Sequence, residues 1–283
     1  MRAFRIARKR CLGWCELSAR RHACHPEMTN YLLTLVLALV LALWSLHTSA
    51  QDPRRSSFDA MSPATQALQR DDSQNPAMLW VKEGEALWSR APVSGTKSCA
   101  DCHGGLSRMR GVATRYPAYD TSSSRVLNLG ARINLCRTNH QGQPAWRTED
   151  SARLSVEAAI ALQSRGLPIT PPAHPALKAA QQRGATLFAS RIGQVDLSCA
   201  DCHTTLAGKR LGGAKLPQAH PTGYPIYRLE WQSLGSLNRR LRSCLSAVRA
   251  DASSFSDEEF VAIEAYLMQR ANGMPLETPG VRP

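Results

Sequence analysis

The sequence contains no apolar run of the length that a membrane span requires. Tyr31 to Leu46 is almost wholly apolar, but a spanning helix takes about 20 such residues. Carboxylates are also scarce, with 22 Asp and Glu against 35 Lys and Arg, for a formal charge of +13. A basic chain suggests nucleic acid, yet no recognition motif or basic helix is present, which argues against that class. The excess suits an anionic substrate or an acidic protein partner instead. Methionine is missing from the whole stretch between Met109 and Met268, so the middle of the chain has no thioether to offer a metal. Spare cysteine is scarce too, which excludes a disulfide-stapled fold.

The short apolar run has another use. Arg-rich residues precede it, and His47-Thr48-Ser49-Ala50 supply small side chains for cleavage before Gln51. Residues 1–50 therefore read as a secretory leader, which predicts a periplasmic protein with no stable membrane span after cleavage. The segment upstream is long for such a signal. Translation from Met28, an extended leader and an uncleaved anchor all remain open. Cys11, Cys15 and Cys24 fall in this leader, leaving six cysteines in the rest of the chain.

Four of the six stand in two copies of one pentapeptide, Cys99-Ala100-Asp101-Cys102-His103 and Cys199-Ala200-Asp201-Cys202-His203. Cys-x-x-Cys-His is the attachment signature of a c-type haem: two thiols bond the vinyl groups and the histidine turns to the iron. A zinc site or a redox dithiol would use the bare Cys-x-x-Cys, but the following His, the duplication and the export signal favour two covalently bound haem c groups.

The duplication extends well beyond these motifs. Gly84, Leu87 and Trp88 precede the first as Gly184, Leu187 and Phe188 precede the second, each group within an apparent amphipathic helix. Tyr116-Pro117-Ala118-Tyr119 and Tyr224-Pro225-Ile226-Tyr227 follow. Each second Tyr lies 17 residues before one of the two remaining cysteines, Cys136 and Cys244, and Arg132 and Arg240 stand four positions before those. The second copy has extra residues around Lys209 to Thr222. Leu154 to Gln163 and the Ser256-capped run through Phe260, Ile263 and Leu267 read as closing helices. The expected fold is mainly α, with two tandem cytochrome c-like domains related by internal duplication. The expected layout is an irregular arm over 51–75, a first domain over 76–168, a proline-rich linker over 169–176 and a second, catalytic domain over 177–283.

His103 and His203 each fill one face of an iron. For the other face, Met109 lies close to its own motif, and Met268 and Met274 could serve only the second haem. Cys136 and Cys244 serve both by one rule, and thiolate lowers the potential of an iron. A buried free thiol at each position, or a Cys136–Cys244 disulfide, are the plainer readings. Around Cys244 stand Arg239, Arg240, Arg242 and Arg249. Guanidinium groups favour thiolate and grip an oxyanion with paired donors, although a solvated helix face or haem propionates would also account for the run, for Arg239 and Arg242 more readily than for Arg240.

With these residues assembled, the chain resembles the SoxA family, the dihaem cytochrome c subunits of sulfur-oxidising SoxAX complexes. The likeness runs from about residue 76 to the end. It rests on the two haem motifs, on Pro221-Thr222-Gly223-Tyr224-Pro225-Ile226-Tyr227-Arg228, on Arg240-x3-Cys244 with Val248-Arg249-Ala250, and on the tail Glu277-Thr278-Pro279-Gly280-Val281-Arg282. The resemblance implies an L-cysteine S-thiosulfotransferase. With the monohaem cytochrome SoxX it would join thiosulfate to a cysteine of the SoxYZ carrier and pass two electrons to a soluble cytochrome c. By the same likeness, His203 and Cys244 ligate the active-site haem, Cys244 is the catalytic sulfur, Arg240 holds thiosulfate, and His103 with Cys136 ligates the other haem. A plain dihaem electron carrier and a tetrathionate-forming thiosulfate dehydrogenase are the alternatives. A peroxidase would need an open iron, which the duplicated cysteines argue against.

Overall fold

A computed structural model describes residues 31–39, 52–93 and 97–283. Residues 31–39 are helical. The rest of the expected leader, with its cleavage position before Gln51, lies outside the described residues. Among those described, no helix is long and apolar enough to cross a membrane. Residues 53–283 form one compact unit, separate from the residues before them.

Local chemistry explains where the helices of this unit begin. Helix α1 (Pro63–Arg70) starts with Ser62 accepting from the Thr65 amide and proline in the first turn, the usual pairing of cap and pre-set φ. Helix α2 is Met78–Ser89, and α3 is the single turn Cys99–His103. Helices α4 (Leu129–Gln141) and α5 (Ser151–Leu162) complete the first repeat. The second repeat supplies α6 (Pro175–Ala189), a π-turn at Asp201–Thr205, α7 (Leu237–Ala247) and α8 (Asp257–Arg270). Ser256 and Glu259 close α8 with the expected capping box. Its Phe260, Ile263 and Leu267 are 2%, 4% and 3% exposed.

In each repeat the first helix crosses the last at a glycine. A Cβ on Gly84 would sit 2.0 Å from the Ser155 carbonyl of α5, and one on Gly184 would sit 2.0 Å from the Ala262 carbonyl of α8. The missing side chain lets the two backbones touch, at the propensity cost of a mid-helix glycine, about 1 kcal/mol.

Strands are few. β1 (Ala118–Asp120) pairs antiparallel with β2 (Arg125–Leu127) in the first repeat. The extra residues of the second copy form the hairpin β3 (Arg210–Leu211) and β4 (Ala214–Lys215). β5 (Ile226–Arg228) pairs antiparallel with β6 (Ser233–Gly235) and parallel with β7 (Gly280–Arg282).

Two expectations about the layout need correction. The arm 51–75 is not irregular, because it holds a 3-10 turn at Ser57–Ala60 as well as α1. Gln69 of α1 accepts from the Val281 amide at 2.9 Å, and Ser56 Oγ donates to Glu277 at 2.6 Å. Buried polar partners far along the chain thus hold a segment whose composition reads as loose. Nor is 169–176 a spacer between separate domains. Ile169 is fully buried, and its amide donates to the Met274 carbonyl at 2.9 Å while the Gly273 amide donates to the Ile169 carbonyl at 2.8 Å. The α6 helix already begins at Pro175. One core joins Trp88, Val156 and Ile160 to Met268, Met274 and Leu276, and another joins Val81, Leu154 and Ala158 to Tyr227, Leu234 and Val281. The two repeats share their interior.

Candidate active site

Each Ser-Cys-Ala-Asp-Cys-His hexapeptide builds its own turn. Ser98 Oγ accepts from the Asp101 amide at 3.1 Å, and Asp101 Oδ2 accepts from the Ser98 amide at 2.7 Å. Ser198 and Asp201 repeat this reciprocal bond at 3.0 and 2.9 Å. These hydrogen bonds hold both aspartate carboxyls below their ordinary range. The cap starts a helical turn on which positions i, i+3 and i+4 share a face, so two thiols and an imidazole are brought together.

Each turn opens onto a cleft. The first, about 560 Å³, is lined by Cys99, Cys102 and His103 together with Tyr116, Arg132 and Cys136. The second, about 710 Å³, is lined by Cys199 and His203 together with Tyr224, Arg240 and Cys244. Such volumes are typical of cofactor clefts, about 300–1,000 Å³. Cys136 and Cys244 arrive by parallel routes. Asn128 caps α4 and Ser236 caps α7, and one helical turn separates each Arg from its Cys. The six described cysteines are free thiols, and the two duplicated ones face different clefts, so no Cys136–Cys244 disulfide forms. Burial pushes the Cys136 thiol up, against the pull of Arg132, and pushes Cys199 up to about 11. A metal ion is what would hold such a buried sulfur as the anion.

The donor set fits a haem c in each cleft. His203 Nδ1 lies 2.7 Å from the Pro217 carbonyl, which fixes the proton on Nδ1 and leaves Nε2 free for a metal. Burial also lowers the His203 pKa, favouring the neutral ring. Pro217 belongs to the inserted segment after β4, whose hairpin forms one wall of the second cleft. His103 has no such acceptor among the described residues. Of the methionines weighed as ligands, Met109 reaches the wall of the first cleft, whereas Met268 and Met274 are buried in the shared core.

The two clefts differ in charge at one matched pair of positions. Tyr119-Asp120 in β1 corresponds to Tyr227-Arg228 in β5. Arg132 Nη1 meets Asp120 Oδ1 at 2.6 Å, and the Ser122 and Ser123 hydroxyls, followed by Arg132, hold that carboxyl down to about 2. In the second cleft Arg228 replaces the carboxylate and is itself paired with Glu230 at 2.8 Å. Arg240 is left without a carboxylate partner among the described residues. The sign change is visible in the repeat as Tyr-Pro-Ala-Tyr-Asp against Tyr-Pro-Ile-Tyr-Arg, a signal the residue-by-residue reading passed over. Arg239 and Arg242 do not line the second cleft. Arg239 stacks over Trp231 at 4.1 Å, and Arg242 over Phe260 at 4.4 Å.

The comparisons with known proteins agree with this geometry. A family model described as the SoxA/TsdA cytochrome c domain matches the chain twice, at residues 83–169 and 183–276. The L-cysteine S-thiosulfotransferase subunit SoxA of Rhodovulum sulfidophilum is 35% identical over 232 residues, which cover 82% of this chain and 81% of that one. Its counterpart from Paracoccus pantotrophus is 30% identical over 219 residues, 77% of this chain and 76% of that one. The crystal structure of SoxXA from P. pantotrophus superposes with a TM-score of 0.77 at 29% identity, covering 81% of this chain and 87% of that chain. The chain belongs to the SoxA family of cytochromes c.

Proposed function

We propose that the chain acts as the cytochrome c subunit of a thiosulfate-oxidising SoxAX complex, an L-cysteine S-thiosulfotransferase paired with the monohaem cytochrome SoxX. The observation that carries this reading is the second cleft, where Arg240 and Cys244 stand one turn apart and, among the described residues, no carboxylate answers the guanidinium. A sulfur oxyanion supplies the missing partner, gripped by two parallel N–H donors. Arg228 and Arg282 line the same cleft but are already paired with Glu230 and Glu277, which leaves Arg240 as the guanidinium open to substrate.

The chemistry joins two nucleophilic sulfurs, so two electrons must leave. Arg240 holds thiosulfate with its outer sulfur toward Cys244. The Cys244 thiolate and the thiosulfate dianion form Cys244–S–S–SO3⁻ as two electrons depart. A thiolate of the SoxYZ carrier then attacks the outer sulfur, takes the –S–SO3⁻ group and releases the Cys244 thiolate. Cys199, Cys202 and His203 would hold a haem c beside Cys244, which would supply a one-electron acceptor, so the two electrons leave singly and a soluble cytochrome c takes each in turn. The protein's own contribution is position and charge. A second haem c fits the first cleft through Cys99, Cys102, His103 and Cys136. With Arg132 already paired to Asp120, that cleft serves electron relay rather than substrate. The leader-like amino terminus supports a periplasmic site for this work.

The test is Cys244→Ala in the complex with SoxX, assayed by the mass of the carrier after incubation with thiosulfate. Conjugation is expected to disappear while both haems stay covalently attached. Full conjugation by that variant would overturn the assignment.

A further inference from the structure

A small chamber of about 50 Å³ lies between the two clefts, room for a few waters at about 10–15 Å³ each. Tyr116 and Leu129 form walls of both the chamber and the first cleft, while Tyr224 and Leu237 form walls of both the chamber and the second. Two carboxyls face it, Glu157 from α5 and Glu264 from α8. They hold equivalent places in the repeat, each followed by alanine. Arg153 Nη1 donates to Glu157 at 3.0 Å, and Asn128 Nδ2 donates to Glu264 at 2.9 Å.

One guanidinium thus stands near two half-buried carboxyls and bonds Glu157 alone, and low-dielectric surroundings penalise a second negative charge. Burial pushes Glu157 up, and burial together with the charge of Glu157 pushes Glu264 up to about 7. The other titratable groups facing the pair are Glu149 from the loop before α5, and Tyr116 and Tyr224 from the cleft walls. Helices α4 and α7 with their caps turn no ionisable group into the chamber, presenting Asn128, Leu129, Ser236, Leu237 and Asn238. A route to solvent is also present. Thr148 and Asn238 line both the chamber and an outer cleft of about 300 Å³. Glu149 stands in that cleft and accepts from the Ser236 amide at 3.2 Å and from its hydroxyl.

We propose that Glu157 and Glu264 form a shared proton-loading site that balances the charge of electrons held in the two clefts. An electron entering either cleft draws one proton from bulk water, through Glu149 and Ser236, onto the pair. When the electron leaves, that proton returns by the same path, and only an O–H bond is made and broken. The proposal rests on reading both clefts as haem-bearing. Its sign is fixed by electrostatics: added negative charge tightens the hold on a carboxyl proton, so electron uptake weakens as pH rises through neutral.

The experiment uses the holo-complex with SoxX. Haem content is read first from the optical spectrum, and fewer than two c-type haems per chain would defeat the haem reading itself. With both present, the complex is reduced at pH 7 in unbuffered solution with a pH-indicator dye. Proton uptake is expected on reduction, and the absence of uptake would overturn the proposal. In Glu157→Gln and Glu264→Gln the uptake, and the pH-dependence of both potentials, should be lost with the haem spectra unchanged. Glu149→Gln lies at the solvent rim, where folding is least at risk, and should slow the uptake about tenfold or more. Uptake of wild-type size and rate in the three variants would equally overturn the proposal.

Discussion

Asp120 and Arg228 occupy equivalent places, and their opposite signs decide what each cleft can hold. The Asp120 carboxyl, with its pKa near 2, stays ionised across the pH range in which the protein works and keeps Arg132 occupied. Arg240 has no such tether. A charge-assisted hydrogen bond contributes about 1.5–3 kcal/mol, so Arg240→Ala should lower kcat/KM for thiosulfate roughly 10–100-fold. Arg132→Ala should change it less than about threefold, since it removes only an internal ion pair of the other cleft. Steady-state kinetics on the two variants decide the matter, and equal losses would refute the division of labour. Arg240 and Cys244 were legible in the sequence because their spacing is duplicated. The pairing that sets Arg132 apart was not, because it depends on the fold bringing β1 against α4. The hold of Pro217 on His203 was hidden for a similar reason: a backbone carbonyl carries no residue signature.

Among the elements, the crossings at Gly84 and Gly184 position everything else, since each sets the distance between a repeat's first and last helices. Alanine at either place is the better helix former by about 1 kcal/mol, yet its methyl would meet a backbone carbonyl. Overpacking typically costs about 1–3 kcal/mol, and a rigid backbone neighbour puts these sites at the upper end. Gly84→Ala and Gly184→Ala should therefore each lower the Tm of the holo-protein by several degrees, measured by circular dichroism. An unchanged or raised Tm would mean the helices can separate freely. Sequence reading found these helices from their apolar spacing and found the closing α8 from its capping box. The pattern is fainter in α5, because Leu154 to Ala161 is buried on nearly every side, which erases the amphipathic stripe. The hairpin β3–β4 was visible only as surplus length.

At the scale of the whole molecule, the repeat made the cytochrome c architecture readable while concealing how closely the halves join. Identical spacing in two copies says nothing about which face of one meets the other, and that contact depends on pairs such as Ile169 with Met274 that are far apart in sequence. Charge is the other whole-molecule property. The exposed Lys209, Arg210 and Lys215 flank the second cleft, within a chain of strongly basic balance. Screening acts over about 8 Å at physiological ionic strength. Raising salt from 20 to 200 mM, order-of-magnitude bounds for weak and strong screening, should slow conjugation of the carrier several-fold through KM. A salt-independent rate would show that the basic rim does no steering.

The strand Gly280–Arg282 lies far along the chain from α2 and α5, yet its Val281 completes the interior that Val81 and Leu154 begin. That cluster cannot finish packing until the strand arrives. That interior therefore depends on segments far apart in the chain meeting, a non-local contact of the kind that slows folding.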